Sequence, residues 1–358
     1  MTAEKPTTER PAEIDSEARE LLYDLVATPS PSGEERAASE RLAAYFEAHG
    51  REAWLDAEDN VRAPADDAVM LTSHVDTVPG DIPVEVAPAA DGSGPALWGR
   101  GSVDATGPLA AMAVAAVATG VSFVGVTGEE TTSRGARHLL DTRESAPDAV
   151  VNGEPSGWDG LTLGYRGLLS GTYVHTSESG HTSRPENNAI QDAIGWWSRV
   201  ESRVAIDEWT PVFERVTPKP VEFEGGTTED GLSVEATMEV QLRIPPDHTV
   251  EEVREMADGE LGRGTVRWHD SVPPVMTSPR TPVARAFRAA IRGAGGDPRM
   301  LRKTGTSDMN LYAAAWDCPM ATYGPGDSSY DHAPDEHLPL AEYDRAVDVL
   351  TDVCERLT

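Results

Sequence analysis

The feature that most constrains the fold is a regular alternation of short apolar strands with helices. Residues 68–73, 121–126 and 149–151 are apolar runs of strand length. Residues 108–118 and 133–140 lie between them and are typical of helices, and the first of these begins with a proline. Strand–helix–strand repeats of this kind form a mostly parallel sheet covered by helices. The pattern therefore predicts an α/β domain, and a similar alternation resumes from residue 282 to residue 358.

The middle of the chain has a different pattern. Residues 163–176 and 233–243 alternate between apolar and polar positions, as antiparallel strands with one exposed face do. Helices are expected near residues 188–200 and 251–256. We therefore predict a smaller α+β domain at residues 163–274, inserted into an α/β domain formed by residues 12–162 and 275–358.

The charge of the chain excludes some classes of partner. Its 61 acidic and 30 basic residues give a net charge of −31, and the only lysines are Lys5, Lys219 and Lys303. Such a surface repels nucleic acid and anionic membranes, so neither is expected as a partner. Because the acid is dispersed and lysine is nearly absent, we interpret it as adaptation to a salt-rich cytoplasm, as in halophilic archaea. An ordinary acidic enzyme is the alternative.

The expected compartment is the cytoplasm. Cys318 and Cys354 are the only cysteines, so a disulfide framework is not expected. Residues 1–10 are polar and contain no signal-peptide core. The longest apolar stretch, residues 107–126, is interrupted by Thr119 and Gly120. It is better explained as a buried helix followed by a strand than as a membrane span.

Histidines and acids recur where the predicted strands end. Because ligands of open α/β sheets bind beyond the carboxyl ends of the strands, these side chains are expected to converge. In chain order they are His74, Asp76, Asp104, Glu129, Glu130, Glu154 and His332. Any one of them alone could equally be a helix cap, a solvated loop charge or a structural histidine. The prediction of a site depends on the ordered set.

The set contains enough ligands for two metal ions of the zinc type. Two histidines, one aspartate and two glutamates provide nitrogen and oxygen ligands for two ions that share a carboxylate. Such a pair of ions serves hydrolysis, which also needs a general base. The adjacent Glu129 and Glu130 offer one ligand and one base. We expect the Asp76 carboxylate to accept the second ring N–H of His74 and so fix its tautomer.

With these residues in view, the sequence resembles the di-zinc aminoacylase and deacylase family over nearly its whole length. That family includes acetylornithine deacetylase, succinyl-diaminopimelate desuccinylase and glutamate carboxypeptidase. The resemblance implies two Zn²⁺ per subunit, with Co²⁺ as an alternative. It implies that His74 and Glu154 ligate one ion and that Asp104 bridges both. Glu130 and His332 would ligate the second ion.

Further roles also come only from the resemblance. Glu129 would be the general base, with Asp76 behind His74. The inserted domain resembles the family's lid, which also forms a homodimer, and His181 resembles the lid histidine that stabilises the oxyanion. Arg243 resembles an arginine that holds a substrate carboxylate. From the residues alone, His181 would be only a turn histidine, and Arg243 could equally be an exposed strand arginine. One departure is Thr106, where the family usually has lysine.

The segment of residues 303–310 resembles one branch of the family in particular. That branch hydrolyses lysine or ornithine from an amino-group carrier protein in lysine and arginine biosynthesis. The substrate-binding candidates are Lys303, Thr304, Gly305, Thr306 and Ser307, since hydroxyls and N–H groups at a helix start suit a carboxylate. An ordinary capped helix is the alternative for this segment.

The predicted activity is therefore hydrolysis of a linear amide in a carrier-protein conjugate. The residues do not decide between lysine and ornithine. Two other functions remain open at this point. One is a small-molecule enzyme such as N-acetylornithine deacetylase or a dipeptidase. The other is an inactive binding protein on the same scaffold.

Overall fold

A computed structural model describes residues 10–207 and 209–358. The polar segment at residues 1–10 therefore lies outside the described residues, except for Arg10. The chain divides into two compact units. Unit 1 comprises Met1–Leu163, Thr277–Leu301 and Ala315–Thr358, and unit 2 comprises Gly164–Met276 and Arg302–Ala314. Residues 302–314, which the sequence analysis places in the α/β domain, thus group with unit 2.

The elements follow one another in a regular order. The helices are α1 (Glu17–Val26), α2 (Arg36–Ala48), α3 (Thr106–Thr119), α4 (Arg134–Thr142), α5 (Ala189–Val204), α6 (Val250–Gly259), α7 (Pro282–Gly293), α8 (Asp308–Ala315) and α9 (Leu340–Leu357). The strands are β1 (Trp54–Leu55), β2 (Val61–Ala63), β3 (Asp66–His74), β4 (Glu85–Pro88), β5 (Pro95–Trp98), β6 (Val121–Val126), β7 (Val150–Gly153), β8 (Gly160–Tyr165), β9 (Gly167–Glu178), β10 (Thr217–Thr227), β11 (Ser233–Ile244), β12 (Thr265–Val272), β13 (Val275–Met276), β14 (Arg299–Lys303), β15 (Met320–Thr322) and β16 (His337–Pro339).

The sheet of unit 1 confirms the predicted α/β architecture. Its strands run in the order β1-β2-β6-β3-β7-β15-β8. The central pairs β6–β3, β3–β7 and β7–β15 are parallel, whereas the pairs toward both edges are antiparallel. The parallel strands are buried on both faces, which explains why they appear in the sequence as continuous apolar runs. A smaller antiparallel sheet has the order β16-β5-β4.

The helices of unit 1 cover this sheet. Helix α3 is apolar nearly all round and packs against the sheet and against α1 and α9. It ends at Gly120, which has the left-handed conformation (φ +74°) common after helices. Each fully buried large apolar side chain stabilises the fold by about 1.5–3 kcal/mol. The buried side chains of α3 therefore anchor the strand ends that carry the polar residues.

Unit 2 contains an antiparallel sheet on which two helices pack. The strand order is β10-β11-β9-β12, and β9 and β11 pair along their whole length. Helices α5 and α6 pack on this sheet around Trp196, which is fully buried and stacks on Tyr173. This is the predicted α+β unit, with α5 capped by the reciprocal hydrogen bonds of Asn188 and Gln191.

The start of α2 differs from the sequence pattern. Ser32 and Glu35 have the spacing of a capping box, but the helix begins at Arg36 and neither side chain caps it. The Glu35 carboxylate instead accepts two hydrogen bonds from the Arg134 guanidinium, each 2.9 Å long. The Ser32 hydroxyl donates to Asp76, so both side chains have tertiary partners and no capping box forms. Among the described residues, no helix combines the length and the apolar character needed to cross a bilayer.

Candidate dinuclear metal site

The polar residues of unit 1 meet because their strands are neighbours. Strand β3 lies between β6 and β7, and the three run parallel. His74 ends β3, Glu130 follows β6, and Glu154 comes directly after β7. Parallel strands bring their carboxyl ends to one edge of the sheet. Two groups of potential ligands form there, one of His74, Asp104 and Glu154 and one of Asp104, Glu130 and His332.

Asp104 belongs to both groups and turns one oxygen toward each. Its Oδ1 lies 3.3 Å from Nε2 of His74, and its Oδ2 lies 3.2 Å from Nε2 of His332. Glu154 lies 3.9 Å from the first of these nitrogens and Glu130 lies 3.0 Å from the second. Within each group, the potential ligand atoms lie within 4.8 Å of one another. This is the arrangement of a bridging carboxylate between two cation positions.

The tautomer of His74 is fixed by a backbone group. Its Nδ1 lies 2.8 Å from the carbonyl oxygen of Asp76, and a carbonyl can only accept. In the neutral ring, which is the form that binds a metal ion, the proton therefore sits on Nδ1 and the lone pair is on Nε2, the nitrogen that faces Asp104. The Asp76 carboxylate is farther away, at 3.6 Å. The expectation that this carboxylate is the hydrogen-bond acceptor of the ring was wrong, because the chain turns so that the carbonyl comes closer.

The Asp76 carboxylate instead holds the Glu129–Glu130 loop. It accepts the backbone N–H of Glu129 at 3.0 Å and that of Glu130 at 3.1 Å. The hydroxyl of Ser32 donates a third hydrogen bond, 2.7 Å long. Burial alone would raise the pKa of Asp76, but the nearby His74 and these donors lower it. A buried, ionised Asp76 thus fixes the position from which both glutamate side chains start.

Electrostatics explains the unusual pKa values at this edge of the sheet. Burial, together with the nearby Asp104 carboxylate, raises the pKa of Glu130 to about 7. Hydrogen bonding to Asp104, with the added charge of Glu130, raises the pKa of His332 to about 9. Burial by itself would lower the pKa of His74. The opposing effect of Asp104, Asp76 and Glu154 is larger, so the pKa of His74 is raised well above its usual value. Converging carboxylates require compensating positive charge, which a divalent cation would supply.

His332 differs from the other potential ligands in exposure and backbone. Its side chain is 52% exposed, whereas that of His74 is 2% exposed. Its φ of +60° lies in the left-handed region, which is uncommon for a residue with a Cβ atom. Non-glycine residues in this conformation occur often at functional sites. The strained backbone turns the ring toward Asp104 and Glu130.

Glu336 supports the site and was given no role from the sequence. It is fully buried and accepts the backbone N–H groups of Gly101, Val103 and Asp104. Arg100 adds an ion pair of 2.8 Å. Burial raises the pKa of Glu336, which these donors oppose. Glu336 therefore fixes the loop that ends in Asp104, and its only sequence signal is an acid in the same motif as His332.

The same loop explains the environment of Thr106. Gly101 has a φ of +82°, and a Cβ atom there would lie 2.8 Å from the Thr106 hydroxyl and 2.6 Å from Thr77. Thr106 is buried, begins α3 and donates its N–H to the Gly101 carbonyl. Its short side chain fits this close approach.

The remaining predicted residues belong to unit 2. His181 lies on the exposed loop after β9; the Ser183 hydroxyl lies 2.8 Å from its Nδ1, and the backbone N–H of Ser183 donates to the same nitrogen at 3.2 Å. Because that nitrogen accepts, the proton of the neutral ring is on Nε2. Arg243 on β11 is half-buried, and its guanidinium lies 3.4 Å from the Thr306 hydroxyl.

The segment of residues 303–307 is held mainly through its backbone. The carbonyl groups of Lys303 and Thr304 accept hydrogen bonds from Arg166, and the N–H of Ser307 donates to Asn310. The Thr306 side chain is the partner of Arg243 in this segment. Arg166 was not predicted from the sequence, although it is a buried arginine directly after a strand.

The donor set of unit 1 fits two divalent cations. Each group offers one imidazole nitrogen and two carboxylates, which suits zinc and similar ions. Two ligand groups that share a carboxylate at the carboxyl ends of an α/β sheet are typical of a metal-dependent hydrolase.

The sequence agrees with this class. The chain belongs to Peptidase family M20/M25/M40, whose sequence model matches residues 70–356.

Relatives of the chain cover nearly its full length. The [LysW]-lysine hydrolase of Deinococcus radiodurans is 41% identical, over 95% of this chain and 97% of the relative. A putative [LysW]-lysine/[LysW]-ornithine hydrolase of Thermococcus kodakarensis is 37% identical, over 96% and 93% respectively. Among solved structures, the M20 family metallo-carboxypeptidase Sso-CP2 of Sulfolobus solfataricus superposes with a TM-score of 0.77. It is 20% identical over 96% of this chain and 99% of that one, which shows a shared fold.

Proposed function

We propose that this protein hydrolyses the amide bond joining lysine or ornithine to an amino-group carrier protein. The observation that carries the proposal is the full-length identity of 41% to a [LysW]-lysine hydrolase. The ligand groups of unit 1 support it, because together they contain all five predicted metal ligands. A catalytically inactive binding protein would not need this complete set.

The metal ions would be held by the two groups that share Asp104. His74 and Glu154 would hold one ion, and Glu130 and His332 the other. Zinc suits the nitrogen and oxygen donors, and cobalt suits the same set. When bound, such a pair supplies Lewis-acid polarisation of the substrate carbonyl and a water of lowered pKa.

Residues of the chain would carry the proton transfers. Glu129 would take a proton from the attacking water and return it to the leaving amine. Asp76 would keep the Glu129 backbone in place through the hydrogen bond of 3.0 Å. The Nε2–H of His181 would donate to the oxyanion, because Ser183 occupies Nδ1.

Unit 2 would bind the carboxylate of the substrate. Arg243 would hold it, and its contact with Thr306 keeps the guanidinium beside residues 303–307. The backbone of Lys303, Thr304, Gly305 and Ser307 would shape the rest of the pocket. The structural support is that Arg243 and Thr306 lie together although they are far apart in sequence.

We further propose a homodimer formed through unit 2. Strand β10 is an edge strand with Val221 57% exposed and Phe223 41% exposed, so it offers unpaired backbone groups and apolar surface. Sedimentation at the mass of a dimer is the expected result, and a monomer would refute it. The cytoplasm is the proposed compartment, since both cysteines are unpaired.

The function is tested by assaying the purified protein on the carrier conjugate and on N-acetylornithine. Turnover of the conjugate with a much higher kcat/KM is expected. Glu129→Gln should lower kcat by at least about 10³-fold while metal content stays unchanged, because it removes the base and leaves the ligands. Glu130→Gln is the matched control, and it should lose metal. Normal activity in Glu129→Gln, or a preference for N-acetylornithine, would contradict the proposal.

A further inference from the structure

One face of α7 is strongly cationic in a chain whose net charge is −31. Arg285, Arg288 and Arg292 recur at spacings of three and four residues, so they lie on one side of the helix. The opposite side is buried and contains Phe287 and Ile291. Arg280 lies just before the helix. We call these four arginines, residues 280, 285, 288 and 292, the arginine face.

Acidic residues are missing from the sequence around the arginine face. Residues 271–296 contain no aspartate or glutamate, although 61 of the 358 residues in the chain are acidic. Three of the four arginines are exposed, and Arg288 is half-buried. The local charge is therefore opposite to that of the whole molecule.

The charges of the arginine face are not compensated by ion pairs within the described part of the chain. Arg285 donates to the carbonyl of Arg280, and Arg292 donates to that of Arg288. Three exposed arginines on other helices of unit 1 differ in this respect. Arg36, Arg41 and Arg356 pair with Asp59, Asp24 and Asp352 at 2.7 to 2.9 Å.

We propose that the arginine face docks the folded body of the carrier through an acidic surface of that protein; this rests on the proposed function. Guanidinium groups form bidentate pairs with carboxylates, and such contact pairs outlast long-range attraction when salt is high. Helix α7 is about 18 Å long, which suits a small protein surface. Nucleic acid and anionic membranes are larger polyanions, and they would also meet the acidic surface around the patch. Helix α7 belongs to unit 1, which carries the ligand groups.

The test compares two triple variants with equal changes of charge. One is Arg285→Gln/Arg288→Gln/Arg292→Gln. The control is Arg36→Gln/Arg41→Gln/Arg356→Gln, which removes three exposed arginines elsewhere in unit 1. Each is assayed on the carrier conjugate and on a short glutamyl-lysine amide with the same scissile bond, which lacks the carrier body.

The α7 variant is expected to raise KM for the conjugate about tenfold with little change in kcat. The control should change KM by less than about twofold, and both variants should hydrolyse the short amide like the wild type. An equal KM for the conjugate in both variants would overturn the proposal. A loss of activity of the α7 variant on the short amide as large as its loss on the conjugate would also overturn the proposal, because it would indicate a damaged active site.

Binding measurements separate this inference from the proposed function. If the wild type does not turn over the conjugate, the proposed function fails, but binding of the unconjugated carrier still reports docking. Calorimetry on the full-length protein should then show binding that the α7 variant weakens about tenfold and the control does not. Absence of carrier binding, or binding of duplex DNA or phosphatidylglycerol vesicles through these arginines in its place, would overturn the inference.

Discussion

Two histidine rings have their tautomers fixed by backbone groups two residues further along the chain. The Nδ1 of His74 donates to the carbonyl of Asp76, so Nε2 presents a lone pair. The Nδ1 of His181 accepts the N–H of Ser183, so Nε2 presents a proton. The same spacing thus prepares one ring as a metal ligand and the other as a hydrogen-bond donor. Neither contact depends on the identity of a side chain.

A change at Ser183 tests this at the level of one residue. Ser183→Pro removes the backbone N–H, which frees Nδ1 of His181 to carry the proton. We expect kcat to fall about tenfold or more with little change in KM, since an oxyanion donor acts mainly in the transition state. Nitrogen-15 NMR of the His181 ring should show a loss of the Nε2–H form. Ser183→Ala removes the hydroxyl contact of 2.8 Å but keeps the N–H, so it should retain the Nε2–H form. An unchanged tautomer in Ser183→Pro would contradict the argument.

At the level of elements, prediction from the sequence succeeded where a continuous apolar run marks a buried strand. Strand β6 was predicted with its observed ends, because every residue in Val121–Val126 is buried. Strand β10 was missed because it is an exposed edge strand that contains charges and two glycines. The metal-ligand candidates were found because they follow buried strands. Glu336 was missed because its role depends on a loop more than 200 residues away.

Glu336 connects two elements, the end of β5 and the start of β16, through the loop that leads to Asp104. Glu336→Gln replaces one acceptor oxygen by an amide that cannot accept the N–H groups of this loop. We expect the free energy of unfolding to fall by about 2–3 kcal/mol, since a buried donor loses its partner. Metal affinity should fall about 10- to 100-fold because Asp104 loses its support. Denaturant unfolding and metal titration measure these two effects.

The neighbouring residue provides the matched control. Asp335 is exposed, so Asp335→Asn changes the same charge in the same segment. It should alter stability by no more than about 0.5 kcal/mol and leave metal affinity unchanged. Equal effects of the two substitutions would mean that Glu336 acts only through its charge.

On the scale of the whole molecule, the acidic residues have three distinct roles. A few converge at the strand ends and form the candidate ligand groups. Others neutralise arginines in surface ion pairs, as Asp24 does with Arg10 and Arg41. The rest leave a net charge of −31, which favours expansion of the chain at low ionic strength. The arginine face on α7 is a cationic exception to this pattern, and we propose a protein partner for it.

The net charge predicts how the stability of the whole molecule depends on salt. Raising KCl from about 0.1 M to 1 M shortens the Debye length from about 10 Å to about 3 Å, which screens the repulsion among acids. We expect the midpoint of thermal unfolding to rise by about 10 °C over this range, the effect of a few kcal/mol in a protein of this size. Screening is nearly complete at 1 M, so the unfolding midpoint should stop rising above this KCl concentration. Stabilisation by exclusion of solutes from the protein surface would instead continue to increase with concentration. Melts across 0.1–3 M KCl, with sucrose as a nonionic control, distinguish the two shapes. A midpoint that does not change with KCl would identify the protein as an ordinary acidic enzyme whose surface charge is not an adaptation to salt.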